Sequence, residues 1–427
     1  MSPSHMVILG VALVLTACGP SPAGGGTDSA TGTGGDTSGS SSSSSSSADV
    51  VADETATTGE PPPLCQAYRH WLVDNRSCGR VGVGDVDADG VDDVVALPGG
   101  ASFIAQVVDR PVYTYRGGAL PLAAPELHCC VEMGPPHALE LADVNADGRL
   151  DPVFTIDQQT ARGDVVSPII VVEGVVAGPV GGYLAHQRLV NASAATPTPR
   201  LAAGDFVPGT PAIAVASGTT VDGTITGVVG LYSADGLRWG PPALEALVTL
   251  EQTARQLGAT DVDGDGQDDV VLLLQSGLQV LRSPGDGTLA PMQVVQPPAL
   301  HSTLHVGDLD GMGAADIVLA GPEGIVVGLV TAGQIAWMSQ SAPVLPNPWV
   351  LVDFDGDGML DVVTAEADLV LAYRGLGDGT LVTEAQVLSS GVGEEVLDLA
   401  AGDLDGNGRD EVVVCDDAGM LVVSAGG

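Results

Sequence analysis

Three features of this sequence predict an all-β fold built from repeated units. The apolar content, 44% of the 427 residues, is mostly Val, Ala and Leu with only 3% aromatics. Runs of β-branched residues are punctuated by 59 Gly and 29 Pro, the composition of short strands joined by tight turns. An acidic phrase, Asp-x-Asp-x-Asp-Gly-x-x-Asp, recurs at seven places, each time between two apolar runs. The formal charge of −40, from 54 acids and 14 bases, excludes a nucleic-acid-binding footprint and docking on an anionic membrane surface. The abundant apolar residues separate the chain from acidic disordered proteins.

The N-terminal segments come first. Met6 to Leu15 is an apolar run of ten residues, half of the roughly 20 that a membrane-spanning helix needs. It ends in Leu15-Thr16-Ala17-Cys18, which resembles the lipobox of bacterial lipoprotein signal peptides. That resemblance implies removal of residues 1–17 and acylation of Cys18. Gly19 resembles the sorting position of outer-membrane lipoproteins, which implies a bacterial cell-envelope protein, periplasmic or surface-exposed, with the membrane met only through the anchor. The alternative is a plain secretory peptide with an incidental Cys18. Residues 18–63 are mostly Gly, Ser, Thr, Ala and Pro, with an unbroken run from Ser40 to Ser47. Such a segment buries nothing and reads as a flexible tether with a reach of about 35–40 Å.

Residues 64–427 carry the repeats. The first Asp of each acidic phrase is Asp85, Asp143, Asp205, Asp261, Asp308, Asp353 and Asp403, at a mean spacing of 53 residues, the length of four short strands with their turns. The first strand of each unit ends at the acidic loop, and the residue ahead of the loop is usually small: Gly84, Ala142, Gly204, Thr260, Gly307, Val352 and Gly402. Small residues suit strands that crowd around an axis. A second strand follows the loop, as in Val94-Val95-Ala96, and a third lies at Ile169-Ile170-Val171, Ile325-Val326-Val327 or Leu421-Val422-Val423. The fourth is the faintest, at Met292 to Val295 or Leu381 to Val387, behind turns such as Gly285-Asp286-Gly287 and Gly377-Asp378-Gly379. Seven four-stranded units predict a seven-bladed β-propeller, with an open solenoid or a string of modules as the rival. After Asp403 there is room for only three strands, so Gln66 to Val73 is the expected donor of the missing outer one, leaving no open edge.

Over residues 80–427 the acidic loops are similar to the FG-GAP and VCBS repeats of integrin α-chain propellers and bacterial surface proteins. The Phe-Gly and Gly-Ala-Pro elements that name that family are not evident, so the resemblance implies the fold more than any partner.

The spacing itself points to cation chemistry. Side chains at positions 1, 3 and 5 of a tight loop converge, Gly at 6 permits the turn, the carbonyl of position 7 points inward and an acid at 9 closes the shell. All-oxygen ligation rich in carboxylates suits Ca²⁺. The candidate ligands are Asp85, Asp87, Asp89, Val91 and Asp93; Asp143, Asn145, Asp147, Arg149 and Asp151; Asp261, Asp263, Asp265, Gln267 and Asp269; Asp353, Asp355, Asp357, Met359 and Asp361; and Asp403, Asp405, Asn407, Arg409 and Glu411. A weaker sixth set is Asp308, Asp310 and Asp316, with Met312 at position 5, and the Asp205 copy, which runs into Phe206-Val207-Pro208-Gly209, should hold no metal. Position 12 carries no Glu (Ala96, Leu272, Thr364) and a strand follows, so these are not EF-hands. The plain alternative is a set of solvated acidic turns.

Other signals weigh less. In an exported chain Cys65, Cys78, Cys129, Cys130 and Cys415 favour disulfides, with Cys65–Cys78 the preferred pair. His301 and His305 fall in a strand, four residues and about 13 Å apart, too far to share a metal. Arg162-Gly163-Asp164 is too short to carry meaning, and no catalytic or nucleotide fingerprint is present. The longer first units offer Pro111 to Pro136 and Gln158 to Arg188 as candidate partner-binding insertions, with neutral drift in loop length as the plainer reading. The sequence therefore predicts a calcium-stabilised binding module for an unidentified protein or glycan. The alternative is an extracellular propeller enzyme, a polysaccharide lyase or hydrolase.

Overall fold

The computed structural model describes residues 66–70, 78–99 and, with interruptions of which the longest are 174–183 and 234–243, residues 108–425. The expected signal peptide, Cys18, the tether, Cys65 and Arg162-Gly163-Asp164 lie outside the described residues. Among the described residues there are strands and no helix, arranged as seven four-stranded antiparallel sheets and one two-stranded hairpin.

The seven large sheets form a closed wheel. The first strand of each acidic repeat lies at a sheet edge, as Cys78–Gly84, Pro136–Ala142, Arg200–Val207, Gln256–Thr260, Thr303–Gly307, Trp349–Val352 and Val396–Gly402. Each of these touches the corresponding strand of the next sheet, and Val396–Gly402 touches Cys78–Gly84. They are therefore the inner strands of seven blades around one axis. The second strands are the most deeply buried, with every residue of Asp93–Pro98, Asp269–Leu274 and Asp316–Gly321 buried. Their apolar side chains mesh with those of the adjacent blades in clusters such as Val262, Val271, Leu273, Leu304 and Ile317, which spans blades 4 and 5. That continuous burial explains the unbroken Val and Leu runs, since a strand covered on both faces has no polar side.

The ring closes where the sequence places the joint. Gln66–His70 pairs antiparallel with Gly419–Ser424 and completes a sheet whose other strands end the chain. The disulfide, however, differs from the preferred pair. Cys78 bonds to Cys415, with Cα atoms 5.2 Å apart and 337 residues between them in sequence, not to Cys65. The cause is the closure itself. Cys78 opens the inner strand of blade 1, Cys415 lies in the second strand of blade 7, and both sit in one apolar cluster with Val81, Val413 and Met420.

The proposed insertion Pro111 to Pro136 is not a free loop. It spans the third and fourth strands of blade 1, Val108–Tyr115 and Glu126–Met133, and Tyr113 and Tyr115 belong to the core. Small residues ahead of the loops also have a sharper reason than axial crowding. A Cβ on Gly84 would lie 2.6 Å from Leu150 Cδ1, and one on Gly402 would lie 2.4 Å from Asp92 Oδ2. In both cases the obstacle is the eighth loop residue of the following blade.

Candidate metal centre

The acidic loops fold alike because the same few bonds build each one. The carboxylate of position 1 accepts the N–H of position 6: Gly90 to Asp85, Gly148 to Asp143, Gly266 to Asp261, Gly313 to Asp308, Gly358 to Asp353 and Gly408 to Asp403, all within 2.8–2.9 Å. The side chain of position 5 accepts the N–H of position 7, as from Val91, Arg149, Gln267, Met359 and Arg409. Positions 4 and 6 are both left-handed, for example Ala88 at φ 61° and Gly90 at φ 87°. The alternation of handedness turns side chains 1, 3 and 5 to one side. The Gly at 6 is legible in sequence, but the same demand at position 4, met by Ala in blades 1 and 2, is not.

Position 9 does more than close a shell. Asp93, Asp151, Asp269, Asp316, Asp361 and Glu411 are all buried. One carboxylate oxygen accepts the N–H of position 2, from Val86, Val262, Leu309 and Leu404. The other oxygen of the Asp accepts an N–H at the end of the third strand, from Gly117, Ser283, Val330 and Gly375. Position 9 thus ties the loop into its blade. Burial and, next, the neighbouring carboxylates push the acids up against the pull of these bonds, Asp269 to about 6, Asp361 to about 7 and Glu411 to about 7.

Five loops bring carboxylate oxygens within 4.8 Å of one another: Asp85, Asp87 and Asp93; Asp261, Asp263 and Asp265; Asp308, Asp310 and Asp316; Asp353, Asp355 and Asp357; and Asp403, Asp405 and Glu411. The Asp308 set, marked in sequence as the weaker one, converges like the others. In the Asp143 loop Asn145 lies outside the described residues. The Asp205 copy has no acidic loop; its strands continue into a hairpin in which Val207 pairs with Thr210.

Asp308 Oδ1, Asp353 Oδ1 and Glu411 Oε1 are buried and accept no hydrogen bond. A buried anionic oxygen without a donor costs several kcal/mol unless a cation meets it, so these clusters are able to hold a metal ion.

A second feature escaped sequence reasoning. The residue that follows the cross-strand partner of position 10 is Arg116, Arg282 or Arg374 in the three copies with a complete four-aspartate set. It is Leu329 and Ser424 in the fifth and seventh. Arg116 lies 3.0 Å from both Asp87 and Asp93, Arg282 holds Asp263 and Asp265, and Arg374 holds Asp355 at 2.9 Å and also Asp357. The most acidic loops carry their own counter-cation.

Loops of neighbouring blades are also clasped by an Asp at position 8. Asp92 donates its N–H to the Asp403 carbonyl (3.1 Å) and accepts the Asp403 N–H on Oδ2 (3.0 Å). The same exchange joins Asp268 to Asp205 and Asp410 to Asp353. These aspartates look in sequence like more surface charge; their role emerges only when blade n meets blade n+1.

A closed wheel of seven sheets with convergent acidic loops defines the class: a repeat-built β-propeller able to hold metal ions. Residues 261–319 and 353–414 match the family described as FG-GAP-like repeat. The solved structure of BBS1N in complex with ARL6DN, from a mercury-soaked crystal, is similar with a TM-score of 0.51 and 12% identity over 85% of this chain and 96% of that one. A lead-soaked crystal of the same complex gives 0.48 and 12%, covering 82% and 92%. A structure from Agrocybe aegerita, concerned with recognition of non-reducing terminal N-acetylglucosamine, gives 0.36 and 17%, covering 79% and 74%. At these identities the first likeness supports the fold alone. A search of curated proteins finds no match.

Proposed function

We propose that this chain is a lipid-anchored cell-envelope protein whose acidic loops are closed by Ca²⁺ and whose propeller serves as an interaction module. The observation that carries the cation is the trio of buried, unpartnered carboxylate oxygens on Asp308, Asp353 and Glu411. Oxygen-only ligands favour Ca²⁺ over softer ions. The side chains named above at positions 1, 3, 5 and 9, with the carbonyls of Val91, Arg149, Gln267, Met359 and Arg409, would hold it. The bound ion supplies positive charge where like-charged carboxylates otherwise repel, fixing the path from first to second strand. The FG-GAP propeller is an interaction architecture, which supports a protein or glycan partner, and Leu15-Thr16-Ala17-Cys18 supports the anchor. The test is elemental analysis of purified protein with a pull-down from native envelope in Ca²⁺ and in EGTA. Stoichiometric calcium and an EGTA-sensitive partner are expected; metal-free protein with an EGTA-indifferent partner would refute the reading.

A second reading, an extracellular polysaccharide lyase or hydrolase, is favoured by one observation. Arg80, Arg200, His137, Glu140 and Asp398 share a cavity on the propeller axis. Depolymerisation of acidic polysaccharide that is lost in Glu140→Gln would establish it.

A further inference from the structure

We infer that the axial cavity at the end remote from the acidic loops is a binding site for a small carboxylate-bearing molecule, held by the guanidinium of Arg200. The cavity of about 450 Å³ is lined from all seven inner strands and lies within the range of small-molecule sites. Its ring of polar side chains has a common register. Arg80, Arg200, Gln256 and Asp398 each stand five residues ahead of the first Asp of their own loop, so the fold brings them to one level of the channel.

The two arginines differ in how they are satisfied. Arg80 is a structural tie between blades: its Nε donates to the His137 carbonyl at 3.0 Å, its Nη1 donates to the Leu397 carbonyl at 2.7 Å, and Asp398 lies 3.9 Å away. Arg200 donates only Nε, to the Arg255 carbonyl at 2.9 Å, and no carboxylate pairs with it among the described residues. Burial and the like charge of Arg80 both work against its ionised form. In a chain with 54 acids and 14 arginines, a half-buried guanidinium left without a carboxylate is poised for one from outside.

The remaining lining selects the ligand class. A planar carboxylate matches the free side of a guanidinium fork. Asp398 in the same cavity repels a doubly charged phosphate more than a singly charged carboxylate. Gln256, whose Oε1 accepts the Leu304 N–H, keeps its amide NH₂ for a ligand hydroxyl, so a sugar acid fits better than a bare acid. This site is separate from the cation loops, and its test does not depend on them.

Titration calorimetry of the full chain in Ca²⁺ with galacturonate, galactose and inorganic phosphate decides the matter. Galacturonate should bind saturably with one-to-one stoichiometry, galactose should not bind, and phosphate should bind more weakly than galacturonate. Arg200→Gln should weaken galacturonate at least about tenfold and Arg200→Lys by less, while both still unfold in one cooperative transition without ligand. Absence of saturable galacturonate binding, binding untouched by Arg200→Gln, equal binding of galactose, or tighter binding of phosphate would each overturn the inference.

Discussion

Arg116→Gln separates the arginine's part in its loop from that of calcium. Arg116 lies 3.0 Å from Asp87 and from Asp93, and Asp93 is only 1% exposed. Stripping the partner from a fully buried ion pair costs about 3–5 kcal/mol, whereas an exposed pair is worth about 0–1 kcal/mol. The arginine side chain is 31% exposed, which places the metal-free cost near 2 kcal/mol between those limits. In saturating Ca²⁺ the ion supplies the missing charge, and the cost should shrink below about 1 kcal/mol. At the lower end of roughly 2–4 °C per kcal/mol for domains of a few hundred residues, the variant should unfold about 4 °C below wild type in EGTA and within about 2 °C of it in millimolar Ca²⁺. Thermal unfolding by circular dichroism in the two buffers reads both numbers. An equal deficit in both buffers would show that Arg116 and the cation do not act on the same carboxylates. A wild-type curve indifferent to EGTA would remove the structural cation altogether.

Three further outcomes follow from the geometry. Cys78→Ser or Cys415→Ser opens the only covalent link between the first and last blades among the described residues and should lower stability by about 2–5 kcal/mol, read by denaturant titration; an unchanged midpoint would show that strand pairing at Gln66–His70 suffices. Asp268→Ala leaves the Asp205 N–H without its acceptor and should cost about 1–2 kcal/mol, whereas Asp286→Ala, in an exposed turn, should be nearly neutral. Burial and then the charge of Asp398 push the Glu140 carboxyl from its ordinary 4.5 up to about 8, so the folded chain holds a proton that the unfolded chain has lost. That contribution is complete below the ordinary value and drains away as pH rises through about 8. Wild type should therefore lose melting temperature relative to Glu140→Gln between pH 5 and 9, and parallel profiles would refute the assignment.

Much of the fold is written in local pattern. Apolar runs bounded by Gly, Pro and Asp mark strands, and the recurring acidic phrase counts the blades, because most bonds that shape an acidic loop lie within about fifteen residues, such as Gly358 to Asp353 and Gly375 to Asp361. The convergence of acids was legible for the same reason: in five of the loops three carboxylates come within 4.8 Å of one another. Even the closing strand could be placed, since the last unit is one strand short.

What the sequence could not contain is anything decided between blades. Cys78 finds Cys415, Asp92 clasps Asp403, and Arg80, Arg200 and Asp398 meet at the axis because the wheel closes, and a residue's neighbour across that seam lies hundreds of positions away. Arg116 and Asp93 are near in sequence, yet their pairing depends on the register between second and third strands, in which Val94 faces Tyr115. Repeat sequence specifies each blade through short-range hydrogen bonds and alternation. Which side chains share a cavity is settled by packing seven such blades around one axis, where apolar burial, not local pattern, fixes the distances.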